Sequence, residues 1–73
     1  MAVQIVMDRS GDSRHRFDPA NARELAEAER RFRHLTERGY TATARVAPGQ
    51  LGIIRSFDPN VEECVFFPRL VGG

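Results

Sequence analysis

The spacing of apolar residues changes several times along the chain. Val3-Gln4-Ile5-Val6-Met7 is an apolar, β-branched run, and Asp8-Arg9-Ser10-Gly11-Asp12-Ser13 then collects turn formers. Arg14-His15-Arg16-Phe17 alternates after it, so the opening predicts a strand, a Gly-containing turn and a second strand, a β-hairpin. Asp18-Pro19 changes the period: Asp is a favoured N-cap and Pro suits the first helical position. Ala22, Leu25, Ala28, Phe32 and Leu35 then recur at intervals of three or four, with arginines and glutamates on the other faces. The spacing predicts a helix from about Pro19 to Arg38, ended by Gly39 in the left-handed region with Tyr40 folded back on the last turn.

After the helix, Thr41-Ala42-Thr43-Ala44-Arg45-Val46 and Leu51-Gly52-Ile53-Ile54-Arg55-Ser56-Phe57 read as strands around a Pro48-Gly49 turn. Asp58-Pro59-Asn60 leaves room for a short turn before the strand-like Glu63-Cys64-Val65-Phe66-Phe67, and Pro68 ends pairing. The predicted order is β-β-α-β-β-β, which belongs to the α+β class. One helix must cover one face of a mixed sheet, and the right-handed crossover rule places the first strand beside the last, in parallel. That is a β-grasp arrangement, two layers around one core. Residues 1–68 form the expected domain and 69–73 an extended, mobile tail.

Composition narrows the function. With 73 residues and 41% hydrophobic content, the chain makes one small domain with a modest core. Eleven basic and ten acidic residues leave a net charge of +1, too balanced for binding that depends on neutralising phosphates. The helix arginines 23, 30, 31, 33 and 38 interleave with Glu24, Glu27, Glu29 and Glu37, which reads as a salt-bridged surface rather than a nucleic-acid interface. No apolar run is long enough to span a membrane, and the amino-terminal residues lack the features of a signal peptide. A single cysteine, Cys64, favours a reducing compartment, so a cytoplasmic location is expected.

Catalytic constellations are scarce. His15 and His34 lie on different elements, no His/Cys/Asp set has metal spacing, and no serine sits in a nucleophile elbow. Glu62-Glu63 reads as solvated surface and His15 as half-buried packing. Cys64 alternates with Phe66 and points to the core, where a thiol behaves as a small hydrophobe. The chain is therefore not expected to be an enzyme, nor to bind a metal or cofactor of its own.

The last residues are different. Pro68-Arg69-Leu70-Val71 leads into Gly72-Gly73. A terminal carboxylate that threads a narrow channel into another enzyme's site needs residues without Cβ atoms, and glycine gives the slimmest backbone. From Val3 to Gly73 the chain resembles the ubiquitin-like β-grasp superfamily. Val3-Gln4-Ile5-Val6-Met7 with its Gly11 turn is similar to ubiquitin's first hairpin. The ending Phe66-Phe67-Pro68-Arg69-Leu70-Val71-Gly72-Gly73 shares its spacing with ubiquitin's tail. It is also similar to the tails of the molybdopterin-synthase small subunit and the thiazole sulfur carrier, which commonly have a second Pro where this chain has Arg69.

The resemblance implies chemistry carried out by partners. An adenylating enzyme of the ubiquitin-activating type would use ATP and Mg to activate the Gly73 carboxylate, with Gly72 beside it and Arg69, Leu70 and Val71 serving tail recognition. The acyl group then passes through an enzyme thioester to a target amine as an isopeptide bond, with conjugating and deconjugating enzymes as further partners. Alternatively, sulfur transfer gives a Gly73 thiocarboxylate. The hairpin opening and the Asp58-Pro59-Asn60 turn depart from the cofactor-pathway carriers, so a prokaryotic protein modifier is the favoured reading and a sulfur carrier the second. A non-conjugating adaptor is the third. All eleven cations are arginine, so a modifier of this sequence has no lysine on which to build chains of itself.

Strand alternation also suggests a docking patch. If Ile5, Met7, Cys64 and Phe66 face the helix, then Val6, Val65 and Phe67 share the open side of the sheet and form an apolar partner-binding surface near the tail.

Overall fold

The computed structural model describes residues 1–68. Its first two strands, β1 (Ala2–Asp8) and β2 (Gly11–Phe17), pair antiparallel across the two-residue turn Arg9-Ser10. The hairpin is tighter than the turn-forming run suggested, and Asp12 and Ser13 belong to the strand. Asp8 closes the turn: its Oδ1 accepts from Ser10 Oγ at 2.7 Å and from Ser10 N–H at 2.8 Å. These bonds hold the Asp8 carboxyl below its usual pKa, the hydroxyl bond most of all. Gly11 follows with φ of 131°, a conformation that side-chain-bearing residues rarely adopt.

The single helix, α1 (Ala22–Glu37), starts later than Asp18-Pro19 implied. Asn21 is the N-cap, and its side chain accepts from the N–H groups of Arg23 and Glu24. Asp18 instead organises the preceding turn. Its carbonyl accepts from Asn21 N–H at 2.9 Å, its Oδ1 accepts from Ala20 N–H at 2.9 Å, and its own N–H donates to Glu24 Oε1. The C-terminal stop is as expected. Gly39 has φ of 97°, its N–H donates to the Thr36 carbonyl, and Tyr40 N–H donates to the Leu35 carbonyl. That pair of bonds is a Schellman motif, and Tyr40 packs on the cluster that contains Leu35.

Three strands complete the sheet: β3 (Thr41–Ala47), β4 (Gln50–Ile53) and β5 (Glu63–Phe67). Sheet order is β2-β1-β5-β3-β4, with β5 parallel to β1 and antiparallel to β3. The fold is therefore α+β, a five-stranded mixed sheet with one helix crossing it, and the first and last strands are parallel neighbours. It is compatible with a β-grasp. No helix among the described residues is long and apolar enough to cross a membrane.

β4 ends at Ile53 rather than continuing to Phe57. The chain then leaves the sheet and lays Phe57 against the core, its ring 5.9 Å from Phe32 and 6.4 Å from Phe17. Phe57-Asp58-Pro59 repeats the Phe17-Asp18-Pro19 turn in detail. Asp58 accepts from Asn60 N–H through Oδ1 and from Val61 N–H through its carbonyl. The core lies between helix and sheet: Val6, Phe32, Leu35, Ala42, Cys64 and Phe66 form one cluster, and Ala2, Phe17 and Ala28 another.

Candidate interaction face

The helix decides which side of each strand is inside. On β1 the inward residues are Ala2, Gln4 and Val6. Val6 is 8% exposed in the cluster with Phe32 and Leu35, and Gln4 is 1% exposed. Gln4 Nε2 donates to the Ala28 carbonyl of the helix at 2.9 Å, and Arg31 Nη1 donates to Gln4 Oε1 at 2.8 Å. A buried amide is tolerated because both ends of it are hydrogen-bonded. Val6 is thus a core residue and not part of an open-side patch, which corrects the expected phase of β1. Ile5 and Met7, expected against the helix, take the opposite face. On β5 the expected phase holds, with Cys64 at 7% and Phe66 at 0% exposure in the core.

Strand register then assembles the open face row by row. Arg14, Ile5, Val65, Thr43 and Ile53 form one row across all five strands, with Ile5 opposite Val65 and Thr43 opposite both Val65 and Ile53. Met7 and Phe67 stand one row nearer the carboxyl end of β5, with Asp12 opposite Met7 and Thr41 opposite Phe67. In the other direction lie Arg16, Val3, Glu63, Arg45 and Leu51. There an Arg45–Glu63 bridge of 2.8 Å spans β3 and β5. Thr43 Oγ1 also donates to the Val65 carbonyl at 2.9 Å. The result is an apolar band that includes Met7 and Phe67, 36% and 38% exposed, and half-buried Val65.

The two patch residues that remain on this face, Val65 and Phe67, are therefore joined by exposed Met7, Leu51 and Ile53, with Ile5 buried at 8% exposure among them. The signal for them was present, since β1 is apolar at both parities. What decides between the parities is Gln4, whose partners are not sequence neighbours. Arg69, Leu70, Val71, Gly72 and Gly73 lie outside the described residues. Pro68, the last described residue, follows β5 directly, so the chain leaves the sheet from its middle strand at the end where Met7 and Phe67 sit.

The remaining chemistry-bearing side chains stand apart from one another. Cys64 is a free, buried thiol, and burial pushes its pKa up to about 12. His15 is half-buried opposite Gln4, and its pKa is lowered, first by burial and then by the nearby Arg31 charge. His34 is exposed on the helix. Glu62 is exposed as expected, whereas Glu63 is half-buried in its bridge to Arg45. Of the expected helix ion pairs, the described residues show Arg33–Glu29 at 3.1 Å. Among the described residues no group of three or more His, Cys, Asp or Glu side chains could hold a metal ion. Comparison of the chain with protein-family models, with curated proteins and with solved structures found no match.

Proposed function

We propose that the protein is a ubiquitin-like modifier whose Gly73 carboxylate is activated by a partner enzyme and transferred to an amine of a target. The observation that carries this reading is the exit of the chain. β5 lies between β1 and β3, and Pro68 follows it at the end where Met7 and Phe67 are exposed; Arg69-Leu70-Val71-Gly72-Gly73 comes next in the sequence. A partner seated on the apolar band would hold the domain while the slim diglycine enters its catalytic site.

The chemistry belongs to that partner. The carboxylate attacks the α-phosphate of ATP·Mg, pyrophosphate leaves, and an acyl-adenylate forms. An enzyme thiolate then displaces AMP to give a thioester, and the target amine displaces the thiol to leave an amide. Cys64 takes no part in such a relay, because its thiol is buried and far from thiolate at neutral pH. With no lysine in the sequence, attachment is single unless an amino-terminal amine accepts a second copy. A sulfur carrier would use the same adenylate, with a sulfur nucleophile in place of the thiolate and a thiocarboxylate as product.

Intact-mass measurement of the protein and its adducts, recovered under denaturing conditions beside a copy lacking Gly73, tests the proposal. Amide adducts at Gly73 that vanish in the deleted copy are the expected result. A mass increase equal to sulfur replacing oxygen would make the protein a sulfur carrier. An unmodified chain in both samples would leave a non-conjugating adaptor.

A further inference from the structure

The sheet has two edges, and they are guarded differently. β2 carries Asp12, Arg14 and Arg16 on one face, the charged protection that discourages edge-to-edge pairing. β4 has none: Gln50-Leu51-Gly52-Ile53 is uncharged, with Leu51 51% and Ile53 70% exposed. Both of these side chains lie on the open face. On the other face, Val46 is 65% exposed at the irregularity between Arg45 and Ala47. A Cβ built on Gly52 would stand 3.1 Å from Val46 Cγ1, so the isopropyl group of Val46 lies over bare β4 backbone. Apolar groups therefore flank this edge on both faces.

We propose that β4 pairs antiparallel with β4 of a second copy, about a two-fold axis at Gly52. The strand is self-complementary in that register. Gly52 meets Gly52, and Leu51 stands across from Ile53 of the second copy twice, because residues of equal parity share a face. Above the paired glycines, where no side chain intervenes, the two Val46 side chains approach each other. No charge lies in the paired strands to oppose the contact. The pairing joins two five-stranded sheets into one and leaves Met7 of β1 and Phe67 of β5, which β3 separates from β4, uncovered. A four-residue strand buries far less than the ~1,200–2,000 Å² of a stable complex, so the dimer is weak, with a dissociation constant on the order of 0.1–1 mM.

Sedimentation equilibrium and amide chemical shifts, followed from about 20 μM to about 2 mM, test the pairing. The average mass should rise toward that of a dimer, with concentration-dependent shifts confined to the β3–β4 hairpin and its immediate neighbours. Ile53→Lys on one face and Val46→Lys on the other should each weaken association at least ~10-fold by placing like charges near the axis. Both side chains are largely exposed, so the fold should survive either change. A chain that stays monomeric throughout overturns the proposal. So does a dimer broken by Ile53→Lys but indifferent to Val46→Lys, which would be joined through the open face. Shifts in β4 that need a different protein, with the chain monomeric alone, would assign the edge to that protein and overturn it equally.

Discussion

The two faces of the sheet are made of similar residues and treated differently. The covered face presents Ala2, Gln4, Val6, Ala42, Ala44, Cys64 and Phe66 to the helix, all buried. The open face presents Val3, Met7, Val65 and Phe67, half-buried or exposed, around Ile5, which its neighbours in the sheet bury to 8% exposure; it is as apolar as the first or more so. Hydrophobicity alone would have chosen the second set for the interior. Shape and hydrogen bonding chose the first. Ala2 and Ala28 share one cluster and Ala42 sits in the other, small residues that let the helix lie close to the sheet. Gln4 is a polar residue that fits only beneath the Ala28 carbonyl and Arg31. The apolar surplus left outside is the surface the functional proposal uses.

This contrast can be broken from either side. The largest effect should come from the covered face: Phe66→Ala removes a ring at 0% exposure that stacks edge-on to Phe32 at 5.7 Å. It should cost about 3–5 kcal/mol in denaturant unfolding, enough to threaten a domain of this size. Gln4→Ala should cost about 1–3 kcal/mol, because it empties the space under the helix and takes the Gln4 acceptor from Arg31. Restoring the apolar pattern with Gln4→Leu should not recover that loss if the paired hydrogen bonds matter. On the open face, Phe67→Asp should change stability by about 1 kcal/mol or less yet weaken binding to an activating enzyme in a pull-down or titration. Unfolding by this substitution would mean that the open face is structural rather than a docking surface.

The smallest expected effect concerns pH. His15 lies opposite Gln4, and burial with the Arg31 charge lowers its pKa in the folded state. The unfolded chain therefore binds this proton more readily than the native one. Stability is full above the ordinary histidine value of 6.5 and declines as pH falls from there through the folded-state pKa. His15→Gln should flatten that part of the stability–pH curve, measured by thermal melts at constant ionic strength. An unchanged curve would show that His15 is not its source.

Element order and parallel closure were legible in the sequence because they follow from local punctuation and from the handedness of crossovers. The helix stop was legible to within a residue, since Gly39 and Tyr40 announce it chemically: the helix ends at Glu37 with Arg38 as its C-cap. Its start was not: Asp18-Pro19 and Asn21 are both good caps, and the hydrogen bonds decide between them, with Asp18 accepting from Ala20 and Asn21 in the turn while the Asn21 side chain accepts from Arg23 and Glu24. The phase of β1 failed for a tertiary reason. Val3, Ile5 and Met7 outnumber the apolar residues of the other parity, but Gln4 takes its two partners from residues more than twenty positions away. The run from Leu51 to Phe57 reads as one strand in sequence because β-propensity carries no information about where a chain must leave a sheet. Of the candidate face, the sequence pattern places Val65 and Phe67 on the open side, puts β1 in the opposite phase through Val6, and assigns no face to Leu51 and Ile53 of β4.

The doubled Phe-Asp-Pro turn bears on how this domain breathes. From Arg55 to Val61 the backbone hydrogen bonds found among the described residues are internal to the segment, so the segment is rooted at Ile54 and Glu62 and held between them by the packing of Phe57 and Val61 on the core. Native-state amide exchange should therefore see this stretch open independently, at a lower free energy than the strands on either side. A seam of that kind lets the small core relax locally while the sheet on either side of it keeps its pairing.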